Sequence, residues 1–469
     1  TSPVTELGAL MAFSWLSAAP QLNLNHSLLP AALAQAETYL QTRGDQPIVP
    51  NQIALDGLDN FDEPMPSQSS DPFEILKLLE VDGAPATVGS TGPNYYGFVT
   101  GGSLPVALAS RWISDTWDQN SALGVMSPVA AKLEGLVARW LIELFEFPSE
   151  TAVGLVSGSS IASLCALIAA RDHLLERSGW SIQQRGLFGA PALKIFAPDS
   201  VHSAIPKALR IAGFGEDQIH WLATDDQGRI DPNALPRLDS KSLLILQAGQ
   251  VCTGAFDAFE RLIPTAQASG AWVHIDGAFG LWAAASRQLQ HLTHGMTLAD
   301  SWSVDAHKTL NVPYDSGVVL CRHPMALSRA LSSSASYLMT DQGRDGMMAT
   351  PEMSRRARGI ELWATLKFLG RQGLSELVDH FQGLAQQLKA HLETSDYKVL
   401  NEDGFNQVLI ALENDTATNH ALALIQESEE VWLSGATWQD KRVIRVSICN
   451  WQTESEDIAR LAEIMVKAA

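Results

Sequence analysis

Apolar and polar positions along the chain predict an α/β architecture. From about residue 130, helical stretches such as AAKLEGLVARWLIELF lie between short, nearly continuous apolar runs bounded by turn residues. Such runs, separated by helices, are typical of parallel strands covered on both faces. The strand candidates are LKIFAPDS, SLLILQAGQ, AWVHIDGAFG and SGVVLCRHP. We therefore predict a large, mostly parallel sheet domain over residues 91–359.

The two ends of the chain show different patterns. Residues 1–90 predict a helical arm, with a helix inside TSPVTELGALMAFSWLSAAP, followed by an extended connection over 42–73, where Pro, Asp, Asn and Gly replace apolar periodicity. Residues 360–469 predict a long helix, the strands YKVL, NQVLIAL and VIRVSICN, and a closing helix. This order indicates a smaller α+β domain at the C-terminal end.

Composition narrows the possible partners. The chain has 469 residues and a net charge of −20, which disfavours binding to nucleic acid and to anionic lipid. No apolar run approaches the ~20 residues that a membrane helix needs. Four scattered cysteines without a CxxC pair indicate buried thiols in a reducing cytoplasm and no metal site. The pattern therefore favours a small-molecule partner. The cysteines are Cys165, Cys252, Cys321 and Cys449.

Lys308 and Asp276 are the first candidate site residues. Lys308 follows the apolar run SWSVD, and Asp276 ends the apolar run AWVHID. In an open α/β sheet, ligands bind beyond the carboxyl ends of the strands. A lysine there can form a Schiff base, and a buried carboxylate can pair with a protonated pyridine nitrogen. The alternatives are a solvated lysine and an aspartate that caps a helix or binds a metal, and His274 is expected to be a core residue.

Two further segments carry polar groups at the start of a predicted helix. Residues 157–160 (SGSS) precede the helical stretch IASLCALIAARDHL, and a helix N-terminus with hydroxyls suits a phosphate. An ordinary N-cap is the alternative. His202 follows the strand-like KIFAP, where its ring can cover a flat cofactor or serve a structural role. The specific feature is the order of these signals along the chain.

Taken together, the motifs resemble the group II pyridoxal-phosphate (PLP) decarboxylases, the family of aromatic-amino-acid and glutamate decarboxylases. The resemblance extends from PNYYGFVTGG near residue 90 to RVSICNWQTESEDIARL, and its specific parts are DAHK, HIDGAFG and SRRARGIELWATLKFLGRQG. It implies the aspartate-aminotransferase fold (fold-type I), decarboxylation of an aromatic or acidic L-amino acid, and a homodimer with shared active sites.

The resemblance also implies roles for individual residues. Lys308 becomes the Schiff-base lysine and Asp276 the partner of the pyridine nitrogen. His202 then lies on one face of the cofactor ring and Ala278 on the other. The phosphate is expected near Ser159, Ser160, Asp305 and His307.

Substrate contacts are predicted at the entry to the pocket and on the C-terminal domain. Tyr95, Tyr96 and Phe98 are candidates to line the entry, with ordinary core packing as the alternative. Arg445 is the favoured arginine for a carboxylate. Surface or interface ion pairs are favoured for the three arginines of SRRAR, which are Arg355, Arg356 and Arg358.

Two departures from the family pattern leave the reaction outcome open. The stretch LMTDQGRDGMMATPEMSRRAR lacks the tyrosine that related decarboxylases carry there, although Tyr337 precedes it and Tyr314 lies near the lysine. Gly249-Gln250-Val251 stands where aromatic decarboxylases have Gly-Thr-Thr. The alternatives are therefore an aldehyde synthase or an aminotransferase on the same fold, or a non-catalytic PLP-binding relative.

Overall fold

The computed structural model describes residues 24–332, 345–402 and 404–469. The helix predicted within residues 1–20 and Tyr337 lie outside the described residues. The chain divides into two compact units, Thr1–Gly89 and Ser90–Ala469. The predicted boundary between residues 359 and 360 stays a prediction.

Within residues 24–89, the described part of the N-terminal unit, lie the α-helices α1 (Leu24–Thr42), α2 (Gln52–Asp56) and α3 (Pro72–Leu78). Helix α2 and the 3-10 turn Gly57–Phe61 lie where an extended connection was predicted, so that prediction was wrong in part. The physical reason is local capping, because the side chain of Asn51 accepts a hydrogen bond from the Ala54 N–H and starts a helix without apolar periodicity. Helices α2 and α3 bury no residue.

A seven-stranded sheet forms the centre of the second unit. Its strand order is β1-β7-β6-β5-β4-β2-β3, and β7 is antiparallel to both of its neighbours while the other pairs are parallel. The prediction of a mostly parallel sheet is therefore confirmed. The strands are β1 (Ala152–Val156), β2 (Lys194–Pro198), β3 (Ile219–Leu222), β4 (Ser242–Gln247), β5 (Trp272–Asp276), β6 (Ser301–Asp305) and β7 (Gly317–Cys321).

Helices cover both faces of this sheet. Alternate residues of one strand enter different cores: Val273 and Ile275 of β5 pack into one apolar cluster, and Trp272 packs into the other. Because both faces are buried, the strands have the nearly continuous apolar sequences noted above. The helices are α4 (Pro105–Trp117), α5 (Pro128–Leu144), α6 (Ser159–Arg177), α7 (Ile182–Arg185), α8 (Ala204–Ile211), α9 (Phe259–Ala268) and α10 (Pro324–Leu331).

The C-terminal region forms a smaller α+β layer, as predicted. Its antiparallel sheet has the order β10-β11-β9-β8, and its long helix α11 is interrupted at Gly370, where φ is 60°. Strand β10 was not predicted, because its sequence SGATW has no apolar run. The elements are α11 (Gly359–Leu392), β8 (Lys398–Val399), β9 (Gln407–Ala411), α12 (Asp415–Glu427), β10 (Ser434–Trp438), β11 (Lys441–Ser447) and α13 (Ser455–Ala468).

Two predictions drawn from composition concern the described residues as a whole. None of the described helices combines the length and the apolar character that crossing a membrane requires. All four cysteines are buried and free, which confirms the expectation of structural thiols.

Candidate functional site

The candidate site lies at the carboxyl edge of the seven-stranded sheet. Residues 157–160 follow β1, His202 follows β2, Asp276 is the last residue of β5, and Lys308 comes three residues after the end of β6. Because these four strands run in the same direction, their carboxyl ends share one edge. The topology therefore brings together segments that are distant in the sequence.

Lys308 stands beside a buried carboxylate. Its Nζ lies 3.1 Å from Oδ2 of Asp305, whose side chain is 2% exposed, while the lysine side chain keeps 20% of its surface accessible. The Nε2 of His307 lies 3.6 Å from the other carboxylate oxygen. The Nδ1 of His307 accepts the Ser316 N–H at 3.1 Å, so the neutral ring carries its proton on Nε2. Burial lowers the pKa of His307, which favours this neutral form.

Asp305 also fixes the start of helix α6. Its carboxylate accepts the Ser159 N–H at 2.5 Å and the Ser159 hydroxyl at 2.7 Å. Gly158 lies tightly between neighbours, since a Cβ there would meet Cε1 of His307 at 3.2 Å. The side chain of Ser160 is exposed in the first turn of the helix. The N-terminus of α6 is thus held close to the lysine loop with one hydroxyl free.

Asp276 is a buried acid surrounded by cationic groups. It is 8% exposed, and its Oδ1 accepts the Ala278 N–H at 3.3 Å and the Ser303 hydroxyl at 3.5 Å. Burial raises the pKa of Asp276, while His202 and Lys308 lower it. These electrostatic interactions place all three side chains in one cluster.

His202 has an exposed ring at this edge. Its Nδ1 accepts the Ala204 N–H at 3.2 Å, so the neutral ring carries its proton on Nε2. Desolvation lowers the pKa of His202, Asp276 raises it, and Lys308 and Arg445 lower it further. The balance favours a neutral imidazole near pH 7.

The three arginines of SRRAR form ion pairs, as the sequence favoured, but the pair of Arg355 is buried and does not lie at the surface. Arg355 lies 2.8 Å from Oε2 of Glu134, and both side chains are 1% exposed. Arg356 pairs with Glu361 at 2.6 Å and Arg358 with Asp315 at 2.8 Å. These guanidinium groups are therefore committed to carboxylates of the protein.

Arg445 on β11 is different. Its guanidinium interacts with the thiol of Cys252, and its Nη1 makes a long contact of 3.5 Å with the carbonyl oxygen of Val251. Its buried Nε has no hydrogen-bond partner among the described residues. An unpartnered N–H of a buried guanidinium costs free energy, and an anion could satisfy it.

Aromatic side chains lie on the segment that passes beneath Lys308. Phe98 is 57% exposed and stacks on Trp432 with ring centroids 5.5 Å apart, and Tyr95 stacks on the same indole at 5.0 Å. A Cβ on Gly101 would lie 2.0 Å from the Lys308 carbonyl oxygen, so the segment contacts the lysine loop closely. Tyr96 instead is 1% exposed and packs in the C-terminal core, so the structure does not put it at a pocket entry.

Sequence reasoning missed two contributors. Trp432 lies next to β10 without any pattern that marks it. Gln250, noted only as a departure, accepts the N–H groups of Cys252 and Thr253 at 2.5 and 3.0 Å and donates to the Ser200 carbonyl at 3.1 Å. Gln250 therefore ties the turn after β4 to the segment that carries His202.

Comparisons with known proteins identify the family of the chain. The family model described as "Pyridoxal-dependent decarboxylase conserved domain" matches residues 64–412. An aromatic-L-amino-acid decarboxylase of Bacillus atrophaeus is 26% identical over 432 residues, 86% of each chain. A phenylacetaldehyde synthase of Petunia hybrida is 27% identical over 343 residues, 67% of this chain and 66% of the relative.

The fold is shared with solved structures. A crystal structure of Oryza sativa TDC with PLP and tryptamine superposes with a TM-score of 0.87 at 21% identity, over 96% of this chain and 98% of that one. This likeness concerns the fold, whereas the family model covers well over half of the sequence. The chain therefore belongs to the pyridoxal-dependent decarboxylase family, whose members use pyridoxal phosphate and act as carboxy-lyases.

Proposed function

We propose that this enzyme removes the α-carboxylate of an aromatic L-amino acid as CO₂ and releases the corresponding amine. The observation that carries the proposal is the cluster of Lys308, Asp276, His202 and Arg445 at one edge of the sheet. Each of these groups matches a separate requirement of the reaction.

The residues present fit pyridoxal phosphate. The N-terminus of α6, with the free hydroxyl of Ser160 and the backbone around Ser159, suits the phosphate, since N–H groups and the helix dipole favour an anion. Lys308 supplies the amine that holds the cofactor covalently, and its partly exposed side chain can reach it. Asp305 and His307 support this arrangement by fixing Ser159 and the lysine loop.

His202, Ala278 and Asp276 would hold the ring of the cofactor, and Asp276 would pair with its nitrogen. When bound, the cofactor supplies an electron sink for the pair left behind as CO₂ departs. The carboxylate of Asp276 would favour a protonated ring nitrogen, because a nearby opposite charge stabilises the charged form of a titratable group. The neutral His202 ring covers one face without adding a competing positive charge.

Arg445 is proposed to orient the substrate carboxylate. Its partnerless Nε and its electrostatic contact with His202 support a position beside the reacting carbon. Holding the breaking bond perpendicular to the cofactor ring is the orientation that loss of CO₂ requires. Val251 provides the only main-chain contact of this guanidinium among the described residues, and that contact is long.

An aromatic substrate fits the described residues better than an acidic one. A second substrate carboxylate needs a further free cation, but Arg355, Arg356 and Arg358 are all paired with carboxylates. Phe98 instead presents an exposed, stacked ring on the segment that contacts the lysine loop. Aromatic rings gain about 0.5–1.5 kcal/mol from such stacking beyond the burial of their area.

A second outcome is favoured by one sequence feature. The stretch 338–354 contains no tyrosine to return a proton to the α-carbon, and a phenylacetaldehyde synthase is among the relatives. The alternative reaction consumes the amino acid, O₂ and water and yields aldehyde, CO₂, ammonia and H₂O₂.

We further propose that the enzyme works as a homodimer in the cytoplasm, with active sites shared between subunits. The N-terminal unit leaves large apolar side chains uncovered, among them Ile53 at 82% and Met65 at 96% exposure. Such surfaces are typical of subunit interfaces. Light scattering of the purified protein tests this, with a dimer mass expected and a monomer contradicting it. Free buried thiols fit a reducing compartment.

The experiment that tests the reaction is a substrate panel with four readouts. The PLP-loaded enzyme is incubated with aromatic and acidic L-amino acids, and CO₂, amine, aldehyde and peroxide are quantified. Equal amounts of CO₂ and amine from an aromatic substrate are expected. Aldehyde with peroxide would support the oxidative outcome, and turnover of acidic substrates alone would contradict the assigned substrate class.

A further inference from the structure

Two buried hydroxyl groups connect helix α6 to the acid at the end of β5. Ser163 of α6 is 1% exposed and Ser303 of β6 is 0% exposed. The Ser163 hydroxyl lies 3.0 Å from the Ser303 hydroxyl, and the Ser303 hydroxyl lies 3.5 Å from Oδ1 of Asp276. A chain of two hydrogen bonds therefore links Ser163, Ser303 and Asp276.

The chemistry of the groups decides which hydroxyl donates and which oxygen accepts in this chain of hydrogen bonds. An ionised carboxylate only accepts hydrogen bonds, so Ser303 is the donor to Asp276. The oxygen of Ser303 is then free to accept, and Ser163 is its donor. Two hydroxyl dipoles therefore point at the same carboxylate, and hydrogen bonds in such a chain strengthen one another.

All hydrogen bonds to the Asp276 carboxylate within the described chain fall on Oδ1. The Ala278 N–H is the second donor, at 3.3 Å. The carboxylate is thus held on one side, and Oδ2 remains available. Among the described residues no hydrogen bond is made to that second oxygen.

We propose that Ser303, supported by Ser163, is a positioning residue that keeps Asp276 ionised and directs its Oδ2 to the ring nitrogen of the cofactor. This inference rests on the proposed function and deepens it, because it names the residues that make Asp276 an effective partner. Ser163 lies one turn beyond Ser159 on α6, so one helix serves both the phosphate end and the nitrogen end of the ring.

The experiment compares two cofactors in two variants. The dissociation constants of pyridoxal phosphate and of its 1-deaza analogue, which has carbon in place of the ring nitrogen, are measured for the wild type and for Ser303→Ala. Ser303→Ala is expected to bind pyridoxal phosphate about tenfold more weakly, the size of one hydrogen bond to a charged group. It should bind the deaza analogue as the wild type does, because that analogue offers no nitrogen to Asp276.

A matched control lies two residues earlier on the same strand. Ser301 is also 0% exposed, but its hydroxyl contacts Trp272 and His274 and not Asp276. Ser301→Ala should leave the ratio of the two dissociation constants unchanged. Ser163→Ala should shift that ratio in the same direction as Ser303→Ala by about two- to threefold, and it replaces Ser303→Ala if the latter does not fold.

Three outcomes are distinguishable. An equal loss of affinity for both cofactors in Ser303→Ala would overturn the inference, since a structural effect does not depend on the ring nitrogen. A selective loss for pyridoxal phosphate supports it. Asp276→Asn is the reference: if it discriminates between the cofactors and Ser303→Ala does not, only the inference fails, and if neither discriminates, the proposed role of Asp276 fails too.

Discussion

The two edges of the seven-stranded sheet hold aspartates that are equally buried but differently satisfied. Asp300 precedes β6 at the amino edge, and Asp276 ends β5 at the carboxyl edge, each with 8% of its surface exposed. Asp300 uses both oxygens at 2.8 Å, accepting from the Val273 N–H and from Nε2 of His323. Asp276 uses one oxygen, in contacts of 3.3 and 3.5 Å.

This difference shows that burial alone does not identify a functional carboxylate. The two carboxylates lie at opposite ends of the neighbouring strands β5 and β6 and are equally buried, so burial in the sheet does not distinguish them. A buried polar group is normally paired, and an oxygen left without a partner indicates a missing ligand. Arg445 and Arg355 differ in a related way, because Arg355 forms an ion pair with Glu134, whereas Arg445 pairs with no carboxylate among the described residues.

Loss of the Lys308 amine should have the largest effect on activity. Lys308→Ala should lower kcat by about 10³-fold or more, because the amine that holds the cofactor covalently is lost. Borohydride reduction followed by mass spectrometry should attach the cofactor to the Lys308 peptide in the wild type only. Lys194→Ala, which breaks a surface pair with Asp239, is the control and should keep both signals. Attachment at another lysine would refute the assignment.

The next effect tests the comparison of the two aspartates directly. Asp276→Asn should reduce kcat by about 10²- to 10³-fold, the usual consequence of losing one electrostatic partner in a preorganised site. Asp300→Asn should leave kcat within about twofold but lower the free energy of unfolding by about 1–3 kcal/mol, since a satisfied buried acceptor is lost. Steady-state kinetics and urea unfolding measure both. Similar kinetic losses in the two variants would remove the distinction between the edges.

Arg355 and Arg445 allow the same comparison between a structural and a candidate functional group among the cationic side chains. Arg355→Met should lower the free energy of unfolding by about 3–5 kcal/mol, because the charge of buried Glu134 loses its ion-pair partner. Arg445→Met should change stability little and raise KM about 10- to 100-fold, a loss of about 1.4–2.7 kcal/mol of substrate binding. A large stability loss in Arg445→Met, with KM unchanged, would show that its guanidinium serves the fold.

The smallest effect concerns a third buried aspartate. Asp257 accepts the Ile230 N–H at 2.9 Å and the Gln247 N–H at 2.7 Å, one on each oxygen, and burial raises its pKa to about 7. Its folded-state pKa lies above the unfolded value, so the folded protein holds this proton more tightly. The resulting stability is present at low pH and is lost as the pH rises towards about 7.

The raised pKa of Asp257 predicts a measurable slope of the free energy of unfolding against pH. Between about pH 4 and 7, Asp257 should contribute a fall of at most about 1.4 kcal/mol per pH unit in the free energy of unfolding. Urea unfolding of the wild type and of Asp257→Asn at several pH values isolates this contribution, because the other groups titrate alike in both proteins. Parallel pH profiles of the two proteins would contradict the shifted pKa.

Local patterns in the sequence were sufficient for the main elements. Buried strands repeat apolar residues over four to six positions, and a polar residue at their end stands out, which is why Asp276 and Lys308 could be named. Strand β10 and helix α2 were missed, because SGATW has no apolar run and α2 begins at a side-chain cap. Tyr96 packs in the core, the alternative that the sequence left open, since an aromatic residue looks alike in a pocket and in a core.

Local sequence patterns were sufficient to predict the fold class, most of the strands and the segments that supply the candidate site. Only the tertiary structure decided which charges are paired and which oxygen of Asp276 is left free. Periodicity is a local property, whereas a hydrogen bond such as that between Ser163 and Ser303 joins residues 140 positions apart. Pairing between residues so far apart in the sequence depends on how the strands and helices pack. Packing therefore decides which charged groups form structural pairs and which remain available at the candidate site.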